Sequence, residues 1–418
     1  MIDVDAVTQR AIDVLKRNDR GGYTIPTDGL YPYQWNWDSA ISALGIAEFD
    51  LDRAWQEIET LMSGQWDNGM VPQILFHTEA EGYFPGADVW NCDGPVPSSG
   101  ISQPPVAVTA ARLIWEKDTS LGKSRMEALL PKLRCWTDWF MRWRLDDKGA
   151  VFTRHPWEAG RDNAPDWDKS AARIDTSGVQ SYIREDTKHV NSDHRPTQKD
   201  YDLYVWLLQL GRDVNWDDGA IAENTPFKVA DPLMTFITLR AVRDLHALCE
   251  AFGQNTDQLA EYITVLEAGV DSIWNPEIQA YDSRDVQTGE FAGSLSCGSY
   301  LCWYAGVDRK EMRGQLRNAL SRTKYPVASY DIQGAVFDPH RYWRGPTWPC
   351  VNLLIGIGLA DFGVPEEPKL RRRIRELVAE NGFSEYFDPI TGTPAGGKSF
   401  SWTAAAWLRW ARFDTHSD

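Results

Sequence analysis

Apolar residues recur at three- and four-residue spacing over most of the chain, the period of a helix with one buried face. Segments 1–17, 39–49, 51–63, 104–118, 125–144, 201–212, 229–253, 256–274, 292–305, 308–322, 348–362, 367–380 and 401–413 carry this pattern or an all-apolar helical run. In 229–253, Leu233, Phe236, Ile237, Leu245 and Leu248 form one stripe. Pro368 opens a later helix whose Leu370, Ile374, Leu377 and Val378 face inward before Gly382 stops it. The pattern predicts an all-α chain of about a dozen helices.

Between these segments run the loops 18–38, 64–103, 146–200, 275–291, 323–347 and 381–400, rich in Trp, Gly, Pro, Asp and Tyr. Loops longer than about 12–15 residues are functional or disordered as a rule, and this density of aromatics argues against disorder. No close repeat, low-complexity tract or flexible linker divides the chain. Helix pairs set in a ring, with the long loops gathered on one face, are the economical arrangement, and residues 1–418 then form one domain.

Charge narrows the partners. A formal net charge of -17 repels phosphate backbones and anionic bilayers, so neither nucleic acid nor a membrane is expected. The N-terminus is acidic and amphipathic without an apolar signal core, and no apolar run is long enough to span a bilayer, which predicts a cytoplasmic protein. Cys92, Cys135, Cys249, Cys297, Cys302 and Cys350 are scattered without metal-ligand spacing, and HTEAE at 77–81 is not the HExxH of a zinc hydrolase. No metal and no cofactor is expected. The oligomeric state is left open.

Twenty tryptophans fit a sugar site, where flat apolar faces stand beside polar rims, and equally fit a Trp-rich core. GLYPYQWNWDSA, residues 29–40, crowds Tyr31, Tyr33, Trp35 and Trp37 around Asp38 and reads as a ligand-facing wall. HPWEAGRDNAPDWD, residues 155–168, places Glu158, Asp162, Asp166 and Asp168 in a loop beside Trp157 and Trp167, and FSEYFDPITG, residues 383–392, sets Glu385 among aromatics. Glycoside hydrolysis needs two carboxyl groups across one bond, one of them neutral, and a carboxyl desolvated by indole rings keeps its proton near neutral pH. Each acid taken alone serves equally well as a turn-capping loop residue.

WNWDSA, SSGISQPP at 98–105, WEAGRDNAP at 157–165, YWRGPTW at 342–348, SEYFDPITG and FSWTAAAWL at 400–408 occur in the order seen in family 63 glycoside hydrolases. Over roughly residues 20 to 410 the chain resembles the short bacterial members and, more distantly, family 37 trehalases. The resemblance implies an (α/α)6 barrel and an inverting α-glycosidase acting on a small glycoside without metal. It assigns Asp162 as general acid and Glu385 as general base, roughly 6.5–9.5 Å apart with a water between them. It also implies that Trp35 or Trp37 gives a ring face to the sugar, that Asp38 meets its hydroxyls, and that Tyr31, Gln103, Trp343, Gly345 and Trp348 complete the pocket.

The short bacterial members include hydrolases of glucosylglycerate and mannosylglycerate, whose leaving group bears a carboxylate. Such an aglycone needs a fixed cation, and an arginine fork pairs with both oxygens. HRPTQKDYDLY, residues 194–204, supplies Arg195 and Tyr201, with Tyr83 and Trp157 expected in the same subsite. One departure stands out: Lys398 and Ser399 in GGKSF occupy the place of an amide side chain in the glycerate-type enzymes. Neutral glucosides such as glucosylglycerol, kojibiose or trehalose are the alternative substrates. A sugar epimerase on the same barrel would work with histidines, yet His77, His155, His189, His194, His246, His340 and His416 form no evident pair, and a pure sugar-binding protein has no use for both Asp162 and Glu385.

Overall fold

Helix Asn36–Ile46 packs on Val106–Lys117, which packs on Pro232–Ala251, and the ring continues through the short 3-10 helix Cys297–Cys302, then Pro349–Asp361, then Ser401–Ala406, which returns to Asn36–Ile46. An outer layer alternates with this ring: Leu51–Ser63, Lys123–Trp143, Asp257–Ser272, Lys310–Arg322 and Glu367–Asn381 each follow an inner element, and Val4–Asn18 packs behind Ser401–Ala406. This is the (α/α)6 barrel. The computed structural model describes residues 2–80, 82–188 and 190–413, so His189 and His416 lie outside the described residues. Among the described residues no helix is long and apolar enough to cross a membrane.

The two layers differ as burial demands. Every residue of Asn36–Ile46 is buried, as is nearly all of Pro349–Asp361, whereas Glu367–Asn381 buries little beyond the predicted stripe of Leu370, Ile374, Leu377 and Val378. Close approach of inner helices requires small residues. A Cβ on Gly45 would overlap Ala405, and one on Gly358 would overlap the backbone of Tyr304.

Connections from inner to outer helices are short turns at 47–50, 118–122, 252–256 and 362–366, while those from outer to inner helices are the long aromatic loops. All the long loops therefore gather over the N-termini of the inner helices. Two-residue antiparallel pairings staple them: Gln34–Trp35 with Ile74–Leu75, Phe152–Thr153 with Val229–Ala230 and Arg284–Asp285, and Tyr386–Phe387 with Pro394–Ala395.

Three predicted elements are corrected. The helix expected at 39–49 starts at Asn36, so Trp37 and Asp38 sit in its first turn and not in the preceding loop. The segment 292–305 is helical only over Cys297–Cys302: Asp282 accepts the N–H groups of Gly293 and Ser294, and Ser296 is extended opposite Tyr330, which commits the chain until residue 296. The helix at 201–212 is present as Gln198–Asp213, but it belongs to the loop excursion between Lys123–Trp143 and Pro232–Ala251 and not to the ring. The histidines do contain one pair, since His194 and His340 stack with centroids 5.2 Å apart.

Candidate active site

One pocket opens at the N-terminal face of the ring, and it gathers side chains from every part of the chain: Tyr31, Trp35, Trp37, Asp38, Tyr83, Gln103, Trp157, Asp162, Arg195, Tyr201 and Glu385 all line it. The N-terminal ends of the inner helices carry partial positive charge, which favours carboxylates gathered there.

Of the four acids in residues 155–168, only Asp162 reaches the pocket. Glu158 is buried against Arg144, 2.6 Å away, Asp166 is paired with Arg161, and Asp168 pairs with Arg344 at the surface. Arg161 also bonds Asp231, the N-cap of Pro232–Ala251, at 2.5 Å, and Ser296 at 3.1 Å, so the residue before Asp162 is nailed to two inner elements. Tyr204 Oη donates to the Asp162 carbonyl at 2.7 Å. Among the described residues no side chain hydrogen-bonds the Asp162 carboxyl. Burial pushes it up to about 7 against the pull of Arg195, with the charges of Glu385 and Asp186 adding to the rise. A carboxyl in this state carries a proton to donate near neutral pH.

Glu385 is fully buried and held from three sides. Tyr31 and Tyr342 donate to its Oε1, each at 3.2 Å, and the Gly397 N–H donates to Oε2 at 2.8 Å. Burial raises its pKa, while Arg195 and these three donors oppose the rise and favour the ionised form. Asp38, also in the pocket, is raised well above the carboxylate range by burial and by Glu385. Asp162, Glu385 and Asp38 thus sit in three different environments within one pocket, the pattern that separates acid from base.

The wall of residues 31–38 is set from behind. Gln34 bonds His77 at 2.7 Å and buried Glu57, which also accepts from Ser39, Thr24 and Arg53, while Gln103 Oε1 accepts the Trp37 N–H at 3.3 Å. Opposite, Arg195 donates to Asp186 and to Tyr31 Oη, both at 3.1 Å, and lies over the Tyr342 ring at 4.1 Å. Asp186 is half-buried, and hydrogen bonds and charge from Arg184 and Arg195 outweigh that burial and hold it below the usual carboxylate range.

Trp343, Gly345 and Trp348 are not on the pocket wall. Trp343 stacks on Trp348 with centroids 3.8 Å apart, and Trp348 donates to the Tyr342 carbonyl at 3.1 Å, so the two buttress Tyr342 from behind. Gly345 serves backbone packing, because a Cβ would overlap the Asp338 carbonyl. Lys398 is exposed and neither it nor Ser399 lines the pocket, so no amide substitute arises from GGKSF there. Sequence reasoning missed Tyr342, Trp402, Phe400 and Asp186 on the wall. Tyr342 and Trp402 lay inside quoted motifs and were legible as alternates of the tryptophans chosen; Asp186 carried no signal.

Residues 31–403 match the family described as the mannosylglycerate hydrolase MGH1-like glycoside hydrolase domain. The chain belongs to that family. A mannosylglycerate hydrolase of Thermus thermophilus is 40% identical over 414 residues, covering 96% of this chain and 100% of its own. A glucosylglycerate hydrolase of Mycolicibacterium hassiacum is 32% identical, covering 96% of both chains. The crystal structure of the family 63 mannosylglycerate hydrolase from Thermus thermophilus with Tris and D-glycerate superposes with a TM-score of 0.92 at 39% identity, over 96% of this chain and 99% of that one. This MGH1-like protein is thus a short glycoside hydrolase of family 63. Yeast neutral trehalase, at 15% identity and a TM-score of 0.59, shares the fold.

Proposed function

We propose that this MGH1-like enzyme hydrolyses the α-glycosidic bond of a small glycoside whose aglycone is glycerate, a mannosylglycerate or glucosylglycerate, with inversion at the anomeric carbon. The observation that carries the reading is a single pocket holding a carboxyl poised near pH 7, a second carboxyl braced by three donors, and a buried arginine. In this reading Asp162 gives its proton to the glycosidic oxygen as the bond breaks. Glu385 takes a proton from a water that attacks the opposite face, and the donors from Tyr31, Tyr342 and Gly397 keep it ionised for that task. Trp35 and Trp37 offer ring faces to the sugar, Asp38 meets its hydroxyls, and Arg195 with Tyr201 and Tyr83 receives the aglycone carboxylate.

No histidine lines the pocket among the described residues, so histidine-based epimerisation finds no groups there. We place the enzyme in the cytoplasm as one catalytic unit, supported by six free cysteines, Cys135 among them exposed, which suit a reducing compartment.

One observation favours a second reading, hydrolysis of neutral α-glucosides: Arg195 already has Asp186 and Tyr31 as partners. A panel of mannosylglycerate, glucosylglycerate, glucosylglycerol, kojibiose and trehalose separates the two. The glycerate reading predicts the highest kcat/KM on a glycerate glycoside; equal or higher values on the neutral substrates contradict it.

A further inference from the structure

Arg195, Tyr31 and Glu385 form a hydrogen-bonded chain across the floor of the pocket. Arg195 Nη1 donates to Tyr31 Oη at 3.1 Å, and Tyr31 Oη donates to Glu385 Oε1 at 3.2 Å. A phenol that accepts from a guanidinium gives up its own proton to an acceptor more strongly, so the cation is felt at the carboxylate through a bond as well as through space. Asp162 has no such link. It shares the pocket with Arg195 and feels only the field of the cation.

The charge of Arg195 is therefore an input to both catalytic carboxyls. Resting on the proposed function, in which Arg195 receives the aglycone carboxylate, we propose that an anionic aglycone resets the protonation of the catalytic pair, with Tyr31 as the positioning residue that carries the effect to Glu385. A carboxylate pairing with the guanidinium neutralises it and competes with Tyr31 for its N–H groups. Both catalytic carboxyls then hold their protons to higher pH. Asp162 gains most from this, because it must be protonated in the substrate complex and without substrate sits near the edge of being so.

The other charged groups facing this chain do not cancel the effect. Asp186 bonds Arg195 Nε at 3.1 Å and is itself matched by Arg184, which contacts it at 2.8 Å. The Tyr342 ring lies under the guanidinium, and its hydroxyl reaches both Tyr31, at 3.0 Å, and Glu385. Asp38 beside Glu385 is pushed toward its neutral form by burial and by that carboxylate, and Glu185 and Tyr201 also line the pocket. None of these changes partner when the aglycone is neutral, so the neutral glycoside is the built-in control.

The test is a set of pH profiles. kcat/KM reports the free enzyme and kcat the substrate complex. With mannosylglycerate or glucosylglycerate, both limbs of the kcat profile are expected about 1 pH unit above those of kcat/KM, the lower end of what a neighbouring charge does to a carboxyl. With mannosylglycerol or glucosylglycerol the two profiles are expected to coincide. In Tyr31→Phe the displacement of the acidic limb, set by Glu385, is expected to shrink to the part carried through space, whereas the alkaline limb, set by Asp162, keeps its full displacement. Equal displacement with charged and neutral substrates, or an acidic limb in Tyr31→Phe that moves as far as in the wild type, overturns the proposal. The rate ratio separates this failure from failure of the underlying reading. A wild-type enzyme that favours the charged substrate while its limbs stay fixed refutes only the coupling, and one that shows no preference refutes the glycerate reading and the coupling with it.

Discussion

The Gly397 N–H donates to Glu385 Oε2 at 2.8 Å, and Gly396, one residue earlier, stands where any side chain would overlap that same oxygen. The hairpin Tyr386–Phe387 with Pro394–Ala395 folds both glycines back onto Glu385, and Gly396 takes a φ of 72°, a left-handed conformation natural to glycine. The GG of GGKSF is thus a seat for the Glu385 carboxylate.

Gly396→Ala is therefore expected to displace the Glu385 carboxylate and to lower kcat by about 100-fold, the cost of a misplaced reacting group. KM should change far less than kcat. Steady-state kinetics together with a thermal melt check this; a variant with near-normal kcat would show that the seat is not needed.

As the proposed general acid, Asp162 is expected to govern the alkaline side of activity. With its carboxyl pushed up to about 7 by burial, kcat/KM is expected to fall as pH rises through about 7, and Asp162→Asn should lose roughly 10²–10⁴ of the rate. The same shift has a stability consequence with a definite sign. The folded carboxyl binds a proton that the unfolded one, titrating at about 4, has already lost. Ionising it in the pocket therefore costs stability progressively from about pH 4 to 7 and fully above that. Asp162→Asn should melt with wild type near pH 4 and above it at pH 8; differential scanning calorimetry at the two pH values reads the difference.

Asp231 holds the loop that carries Asp162 and does not line the pocket. It accepts from Arg161 and Ser283 and caps Met234 at 3.2 Å, with no exposure to solvent. Asp231→Ala leaves the Arg161 charge buried with one partner fewer and is expected to cost about 3–5 kcal/mol of folding stability. Urea unfolding followed by tryptophan fluorescence measures it, and a loss below about 1 kcal/mol would show that Asp166 alone satisfies Arg161.

The helices were legible because burial sets their period: the stripe from Leu370 to Val378 is on the inner face as the spacing required. The 3-10 helix Cys297–Cys302 was not, since its length is decided by Asp282 reaching across from the earlier part of the same connection to hold Gly293 and Ser294. In the site, the aromatic wall and the acids could be read as types of residue, but which ones face inward is a matter of backbone direction. Tyr342, with a φ of 42°, turns into the pocket, and Trp343 and Trp348 turn away to support it. Choosing Asp162 over Glu158 and Asp166 likewise depends on partners far along the chain, Arg144 at the end of an outer helix and Arg161 beneath an inner one, and no local spacing encodes those pairings.

The stereochemistry of the first product tests the central assignment most directly, because an acid and a base on opposite faces of the bond with water between them permit only one outcome. Proton NMR of mannosylglycerate or glucosylglycerate during the first turnovers should show the β-hexose appearing first, with the α-anomer growing only by mutarotation. The α-anomer appearing first would mean that Glu385 or another group attacks carbon directly, and the assignment of Asp162 as acid and Glu385 as base would be wrong.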